Sequence, residues 1–197
     1  MKLTNLIWVL ALAGTVAACN SGPPVTGEVE PPPPVGGNGG SCDPGGGDGA
    51  CTNAEDEAVY ADLTYTDDAD ATFTGTEAAS AIGSDCIFGT SQSDPLLAGC
   101  GAEATDVIAC FPSADGCPDA TIQALADCVA MCTQDATGLS DECVGCTGDT
   151  VACGAAFCTT DCVSDTNAPD CIACRCRNNC IQDFDSCSGL PSGCECE

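Results

Sequence analysis

Between residues 128 and 174 the cysteines fall in a pattern that few folds accommodate. Cys128-x3-Cys132 is followed after ten residues by Cys143-x2-Cys146, and about 30 residues on Cys158-x3-Cys162 is followed after eight residues by Cys171-x2-Cys174. Residues three or four apart share one face of a helix, so each pair marks a face that carries two sulfurs. A short turn such as Gly138-Leu139-Ser140 folds the next helix back against the first. Facing pairs then cross-link, inner to inner and outer to outer. The spacing therefore predicts Cys132–Cys143 with Cys128–Cys146, and Cys162–Cys171 with Cys158–Cys174. The expected fold class is mainly α: a small disulfide-rich helical domain built from stapled antiparallel helical hairpins, with repeat units at about residues 128–153 and 158–187.

The rest of the composition makes such staples necessary. Trp8 lies in the N-terminal apolar run, and beyond it only Tyr60, Tyr65, Phe73, Phe88, Phe111, Phe157 and Phe184 supply aromatic bulk. A chain with 21 cysteines exceeds the density at which a disulfide scaffold is the default reading. Disulfides persist in the periplasm, at cell surfaces and outside cells, which places the chain in one of those compartments. Each bond is worth about 2–4 kcal/mol, on a chain-entropy account whose mechanism is disputed.

Helix signals run along residues 51–197, which read as one domain. In the segment from Asp119 to Cys132, Ile122, Leu125, Val129 and Cys132 recur at helical spacing. Ser140-Asp141-Glu142 offers an N-cap followed by acids in the first turn. Asn167-Ala168-Pro169-Asp170 is a further start, with Gly189 and Pro191 ending that segment. Asn53 to Leu63 and Thr76 to Phe88 read as shorter helices. Period-2 alternation is confined to Asp62 to Phe73, which reads either as strand or as an irregular acidic loop.

The N-terminus reads as a secretory signal over residues 1–18. Met1-Lys2 is followed by 13 apolar or small residues from Leu6 to Ala18, fewer than the about 20 a membrane span needs. Val16-Ala17-Ala18-Cys19 resembles the lipobox of bacterial lipoproteins: an aliphatic residue, two small ones, then cysteine. The resemblance implies that Cys19 receives a diacylglyceryl group and becomes the first residue of the mature chain. Parity agrees with it. With Cys19 set aside, twenty cysteines from Cys42 to Cys196 remain, enough for ten disulfides with no odd thiol. Residues 19–50 then form a tether: Asn20 to Ala50 contains seven Pro and ten Gly, too little apolar surface for a core. Stiffened towards polyproline II, Cys19 to Ser41 permits a standoff of roughly 70 Å.

Two further resemblances concern the helical half. The paired spacings resemble the α-hairpinins, in which two C-x3-C segments close on each other; here the second segment is C-x2-C, so the likeness implies architecture alone. The block from Gly138-Leu-Ser-Asp-Glu-Cys to Phe184-Asp-Ser-Cys-Ser-Gly-Leu190 resembles uncharacterised cysteine-rich lipoproteins and secreted proteins of bacteria related to the myxobacteria. That likeness covers roughly residues 120–190 and implies no activity.

Charge narrows the function classes. With 30 acidic and three basic residues the chain carries −27, the wrong sign for neutralising phosphates and for holding an anionic membrane surface. The acidity serves solubility, as in salty surroundings, or else weak, multi-site binding of divalent cations. Cys143-Val-Gly-Cys146 and Cys171-Ile-Ala-Cys174 match the C-x-x-C of thiol-disulfide oxidoreductases, which need a thiolate of low pKa; Asp141 and Glu142 beside Cys143 work against that. The same pairs, 24 residues apart, fall near zinc-module spacing, and Cys174-Arg-Cys176 and Cys194-Glu-Cys196 offer soft-metal pairs, but an oxidising compartment favours disulfides. Asp67-Asp68-Ala69-Asp70 and Asp43 to Asp48 supply carboxylates without matching a calcium loop.

Catalytic constellations are poorly represented. The chain has no His, and its one Lys is Lys2, so a Ser or Cys nucleophile lacks its usual base. Carboxylate pairs are unavoidable among thirty acids, without an aromatic platform for sugar. Arg175 and Arg177, the only cations of the mature chain, lie about 200° apart on a helix and are expected to pair with acids such as Asp170 or Asp183. The sequence thus leads to a non-enzymatic lipoprotein without cofactor, held by its lipid anchor at the bacterial outer membrane, in the periplasm or on the surface. Asn20 after Cys19 lacks the Asp that retains lipoproteins of the well-studied sorting systems at the inner membrane. Its role is structural or interaction-based, with an unidentified envelope partner and no nucleic acid. A calcium-binding surface protein is the alternative, and a thiol-disulfide oxidoreductase the remote one.

Overall fold

The computed structural model describes residues 49–67, 70–88, 99–110, 116–162, 166, 168–190 and 196. Helix α1 (Ala54–Asp62) begins where the Asn53 side chain accepts the amides of Glu55 and Asp56, and Glu55, Asp56 and Glu57 complement the dipole of its first turn. Strands β1 (Thr64–Thr66) and β2 (Thr72–Thr74) pair antiparallel, with Tyr65 opposite Phe73. Both readings of this stretch hold in part: two three-residue strands flank an acidic connection. Helix α2 (Gly75–Phe88) follows directly.

Helix α3 (Gly101–Cys110) is an element the periodicity did not announce. It is ten residues long, and it buries only Ala104 and Val107. Helix α4 (Asp119–Thr137) extends five residues beyond Cys132 and stops at Gly138, whose φ of 75° and N–H donated to the Gln134 carbonyl (2.7 Å) form a left-handed cap. Helix α5 (Asp141–Cys162) starts after Ser140, whose Oγ accepts the Cys143 amide at 3.4 Å. At 22 residues it is about 33 Å long. The segment expected to run unbroken from Pro169 to Gly189 is two helices, α6 (Pro169–Arg177) and α7 (Cys180–Ser188). The break is at Asn179, which adopts φ 60°, a conformation Asn tolerates better than most residues.

The result is a mainly α, disulfide-rich domain organised around α5, which packs against α4, α7, α6, α2 and α3. One core cluster joins Ile82, Val107, Leu125, Val129, Val151 and Ala156 across α2 to α5. A second gathers Cys51, Tyr60, Ala79, Leu139, Cys143 and Val144 at the α4–α5 turn. No helix among the described residues is long and apolar enough to cross a membrane.

The first predicted staple pair is corrected by the structure. Cys128 is bonded to Cys100 and Cys132 to Cys86, while Cys143 is bonded to Cys51 and Cys146 to Cys187. The α4–α5 hairpin does form, but small residues, not the cysteines, face each other across its seam. A Cβ placed on Gly148 would lie 2.3 Å from the Ala126 carbonyl oxygen and 3.2 Å from the Ala130 Cβ. Small residues bring the two backbones together, so the cysteines of each helix flank the seam and reach outward to other elements. In the second unit the structure joins Cys158 to Cys174 and Cys162 to Cys171, with Cα separations of 5.8 and 4.7 Å, the nested order the spacing predicts.

Candidate functional site

The chemistry of this fold is concentrated on α5. Five of the nine disulfides among the described residues start from it: Cys143, Cys146, Cys153, Cys158 and Cys162 reach the N-terminal segment, α7 twice and α6 twice. Cys146 and Cys153 stand seven residues apart, as do their partners Cys187 and Cys180. Seven residues are close to two helical turns, so both pairs lie on one face and antiparallel helices bring them into register. That matched spacing is present in the sequence and was the signal that reading in units of C-x3-C and C-x2-C passed over. Cys110–Cys117 and Cys176–Cys196 complete the nine.

Neither C-x-x-C segment is bonded across itself. Cys143 and Cys146 have different partners, as have Cys171 and Cys174, so these sulfurs lie in structural cross-links between elements. Of the acidic loop, Asp67 is committed to the turn: its Oδ1 accepts the Ala71 amide at 2.8 Å. Among the described residues no group of three or more potential ligands is arranged to hold a metal. Asp43, Asp48 and Asp68 lie outside the described residues, as do Cys19, Cys42 and Cys194.

A polar network sits beside the Cys51–Cys143 bond. The Asp56 carboxylate accepts the Ser140 amide at 2.8 Å, the Ser140 hydroxyl at 2.6 Å and the Asn53 side-chain amide at 2.5 Å. Burial alone would raise the Asp56 pKa, but the Ser140 and Asn53 hydrogen bonds outweigh it and hold the carboxyl below the ordinary range. Tyr60 packs its hydroxyl against the disulfide, 3.3 Å from Cys143 Sγ and 3.7 Å from Cys51 Sγ. Burial, with the Asp56 charge nearby, pushes its pKa up to about 12. Both groups therefore keep fixed protonation states at neutral pH, which suits a structural joint.

A concave feature of the described surface lies between α2, α3, α5 and α6. It is a half-open cleft enclosing ≈ 570 Å³ of empty space, mouth included, with Ile87, Ile108 and Val151 among its apolar wall and Ser80, Ser84 and Arg175 among its polar groups. The Arg175 position is set by α5. Its Nη2 donates to Thr150 Oγ1 at 3.2 Å, and that hydroxyl donates in turn to the Cys180 carbonyl at 2.9 Å. The side chain runs past Gly154 on α5, where a Cβ would meet Arg175 Cδ and Nε at 4.0 Å, an ordinary van der Waals contact. Arg177, the other cation of α6, is exposed. The sequence places the two arginines on opposite faces but gives no sign that one of them enters a cleft.

Compared with known proteins, the chain matches no family model, no curated protein and no solved structure.

Proposed function

We propose that this chain is a lipid-anchored envelope lipoprotein, tethered through Cys19 and carrying a rigid, non-catalytic interaction module on a Pro/Gly stalk. The observation that carries the reading is cysteine arithmetic. Nine disulfides take eighteen of the 21 cysteines, leaving Cys19, Cys42 and Cys194. One of three must stay outside any intramolecular pair, and Cys19 is the one in a lipobox-like sequence. The domain supports the reading in a second way. It is cross-linked at short intervals along α5, as suits a module that works exposed to proteases and without a cytosolic reductant.

Intact mass of the chain purified from whole cells, with membrane fractionation of a Cys19→Ser variant, tests the proposal. A mass that begins at Cys19 and includes a diacylglyceryl group, together with release of the variant from membranes, is the expected result. A chain cleaved at the same point with an unmodified or free Cys19 would overturn it. The outer membrane is the proposed location on the strength of Asn20, and density separation of the two membranes tests it.

A further inference from the structure

We propose that this chain is a substrate of thiol–disulfide isomerisation, and that its bonds close as two independent zippers, each from the innermost bond outward. The connectivity carries the inference. Cys51–Cys143 encloses Cys86–Cys132, which encloses Cys100–Cys128, which encloses Cys110–Cys117. In the same way Cys146–Cys187 encloses Cys153–Cys180, Cys158–Cys174 and Cys162–Cys171 in turn. No bond among the described residues joins one set to the other, and of the nine only Cys176–Cys196 crosses others.

Oxidation in order of appearance cannot produce this pattern. Only Cys110–Cys117 and Cys162–Cys171 join cysteines that are neighbours in the sequence. Six other cysteines stand between Cys51 and its partner Cys143, and short loops close more readily than long ones. Most early pairs are therefore non-native and must be exchanged. An isomerase thiolate attacks one sulfur of a wrong pair, forming a mixed disulfide and releasing the other sulfur as a thiolate. The native partner's thiolate then attacks the chain's sulfur in that mixed disulfide, making the native bond and returning the isomerase thiolate. Exchange consumes no electrons; net bond formation passes two electrons per bond to a disulfide oxidant.

Burial gives the exchange its direction. Cys51, Cys86, Cys143 and Cys158 are 0% exposed, and Cys132 and Cys174 are buried with them. Once the helices pack, Cys51–Cys143, Cys86–Cys132 and Cys158–Cys174 are out of reach of an attacking thiolate. Each inner bond also prepares the next. Cys158–Cys174 spans 16 residues, and prior closure of the 9 between Cys162 and Cys171 leaves about 7 to order, a roughly threefold gain in closure probability. The inference rests on the disulfides and is independent of how the chain is anchored.

The natively purified chain, reduced, unfolded and returned to buffer, tests this. One sample receives oxidised glutathione alone, the other oxidised and reduced glutathione with protein disulfide isomerase. Acid quenching, peptic digestion and mass spectrometry map the bonds over time. The second sample should recover all nine, and the first mostly pairs of sequence neighbours. Cys110–Cys117 and Cys162–Cys171 should appear first, and Cys51–Cys143, Cys146–Cys187 and Cys176–Cys196 last. Cys162→Ser with Cys171→Ser should slow Cys158–Cys174 about threefold and leave Cys86–Cys132 unchanged. Cys110→Ser with Cys117→Ser should in turn spare Cys158–Cys174. Recovery of the nine bonds at equal rate and yield by the oxidant alone, or in neither sample, would overturn the proposal. So would outer bonds that precede inner ones, or a double variant that slows both sets alike.

Discussion

The Asp56 carboxylate holds both the amide and the hydroxyl of Ser140, 84 residues away, at 2.8 and 2.6 Å. Ser140 is the residue that caps α5, so the first helix of the domain fixes the start of its central one. A buried carboxylate receiving charge-assisted bonds leaves three donors without this acceptor when removed. Asp56→Ala should therefore cost about 2–4 kcal/mol of unfolding free energy, measured by guanidinium unfolding of the oxidised chain. The pH dependence has a definite sign. Because the folded pKa of Asp56 is lowered, its contribution is present above the unfolded value of 3.8 and is lost as pH falls through the folded one. Asp56→Asn should flatten that acid limb.

Two glycines three residues apart on α5 should respond oppositely to the same change. A Cβ at Gly148 meets the Ala126 carbonyl oxygen at 2.3 Å, whereas at Gly145 nothing lies within 4 Å. Gly148→Ala should destabilise by about 1–3 kcal/mol through forced separation of α4 and α5. Gly145→Ala should stabilise by about 0.5–1 kcal/mol, the ordinary gain from replacing glycine inside a helix. Thermal melts of the two variants beside the parent chain give the comparison, and a shared sign would refute the tight-seam account.

The same seam explains how far the sequence could be read. Helix starts at Asn53, Ser140 and Pro169 were legible because caps and prolines act locally. The staples of α5 and α6 were legible because Cys158 and Cys162 lie about one turn apart on α5, and Cys171 and Cys174 about one turn apart on α6, so each pair shares a helix face. The α4–α5 staples were not, although the turn at Gly138 was. Their rotational phase is set by Gly148 lying against Ala126, a contact that leaves no mark in cysteine spacing. Local propensity also gave α6 and α7 as one helix, because a single Asn179 in a left-handed conformation costs too little to stand out in sequence. Asp56 and Ser140, like Arg175 and its cleft, are brought together by packing alone. Nothing nearby in the chain signals either.

Acidity itself should be measurable as a stability term. Desolvation of its inner edge, with the Asp127 and Asp183 charges beside it, raises the Asp149 pKa although the residue keeps an exposed face. Desolvation raises Asp183 as well. A raised folded pKa means the folded state binds protons more tightly, so stability is fullest below the unfolded value of 3.8 and declines as pH rises through the folded one. Asp149→Asn should thus raise the melting temperature at pH 7 and leave it unchanged near pH 3. Sodium chloride should also raise the parent's melting temperature at pH 7, by screening carboxylates that repel one another. A melting temperature insensitive to both changes would show that these charges are too well solvated to matter.

A tenth disulfide is expected from what the first nine leave. Ala50 donates to the Cys187 carbonyl and Cys51 to the Ser188 carbonyl, at 2.8 and 3.0 Å, and a Cβ on Gly49 would lie 2.1 Å from the Gly189 nitrogen. Cys42 stands seven residues before Gly49, and Cys194 five after Gly189. At about 3.3–3.6 Å per residue, chain length allows them to meet. On the proposed lipid anchor at Cys19 they are the two sulfurs left, and the proposed oxidising compartment would pair them. Non-reducing proteolysis with mass spectrometry should recover a peptide joining Cys42 to Cys194, and intact mass should show twenty hydrogens lost. Alkylation of the unreduced, unfolded chain should label no cysteine. Labelling of Cys42 and Cys194 together would deny the bond, and a Cys19 bonded to either would deny the anchor with it.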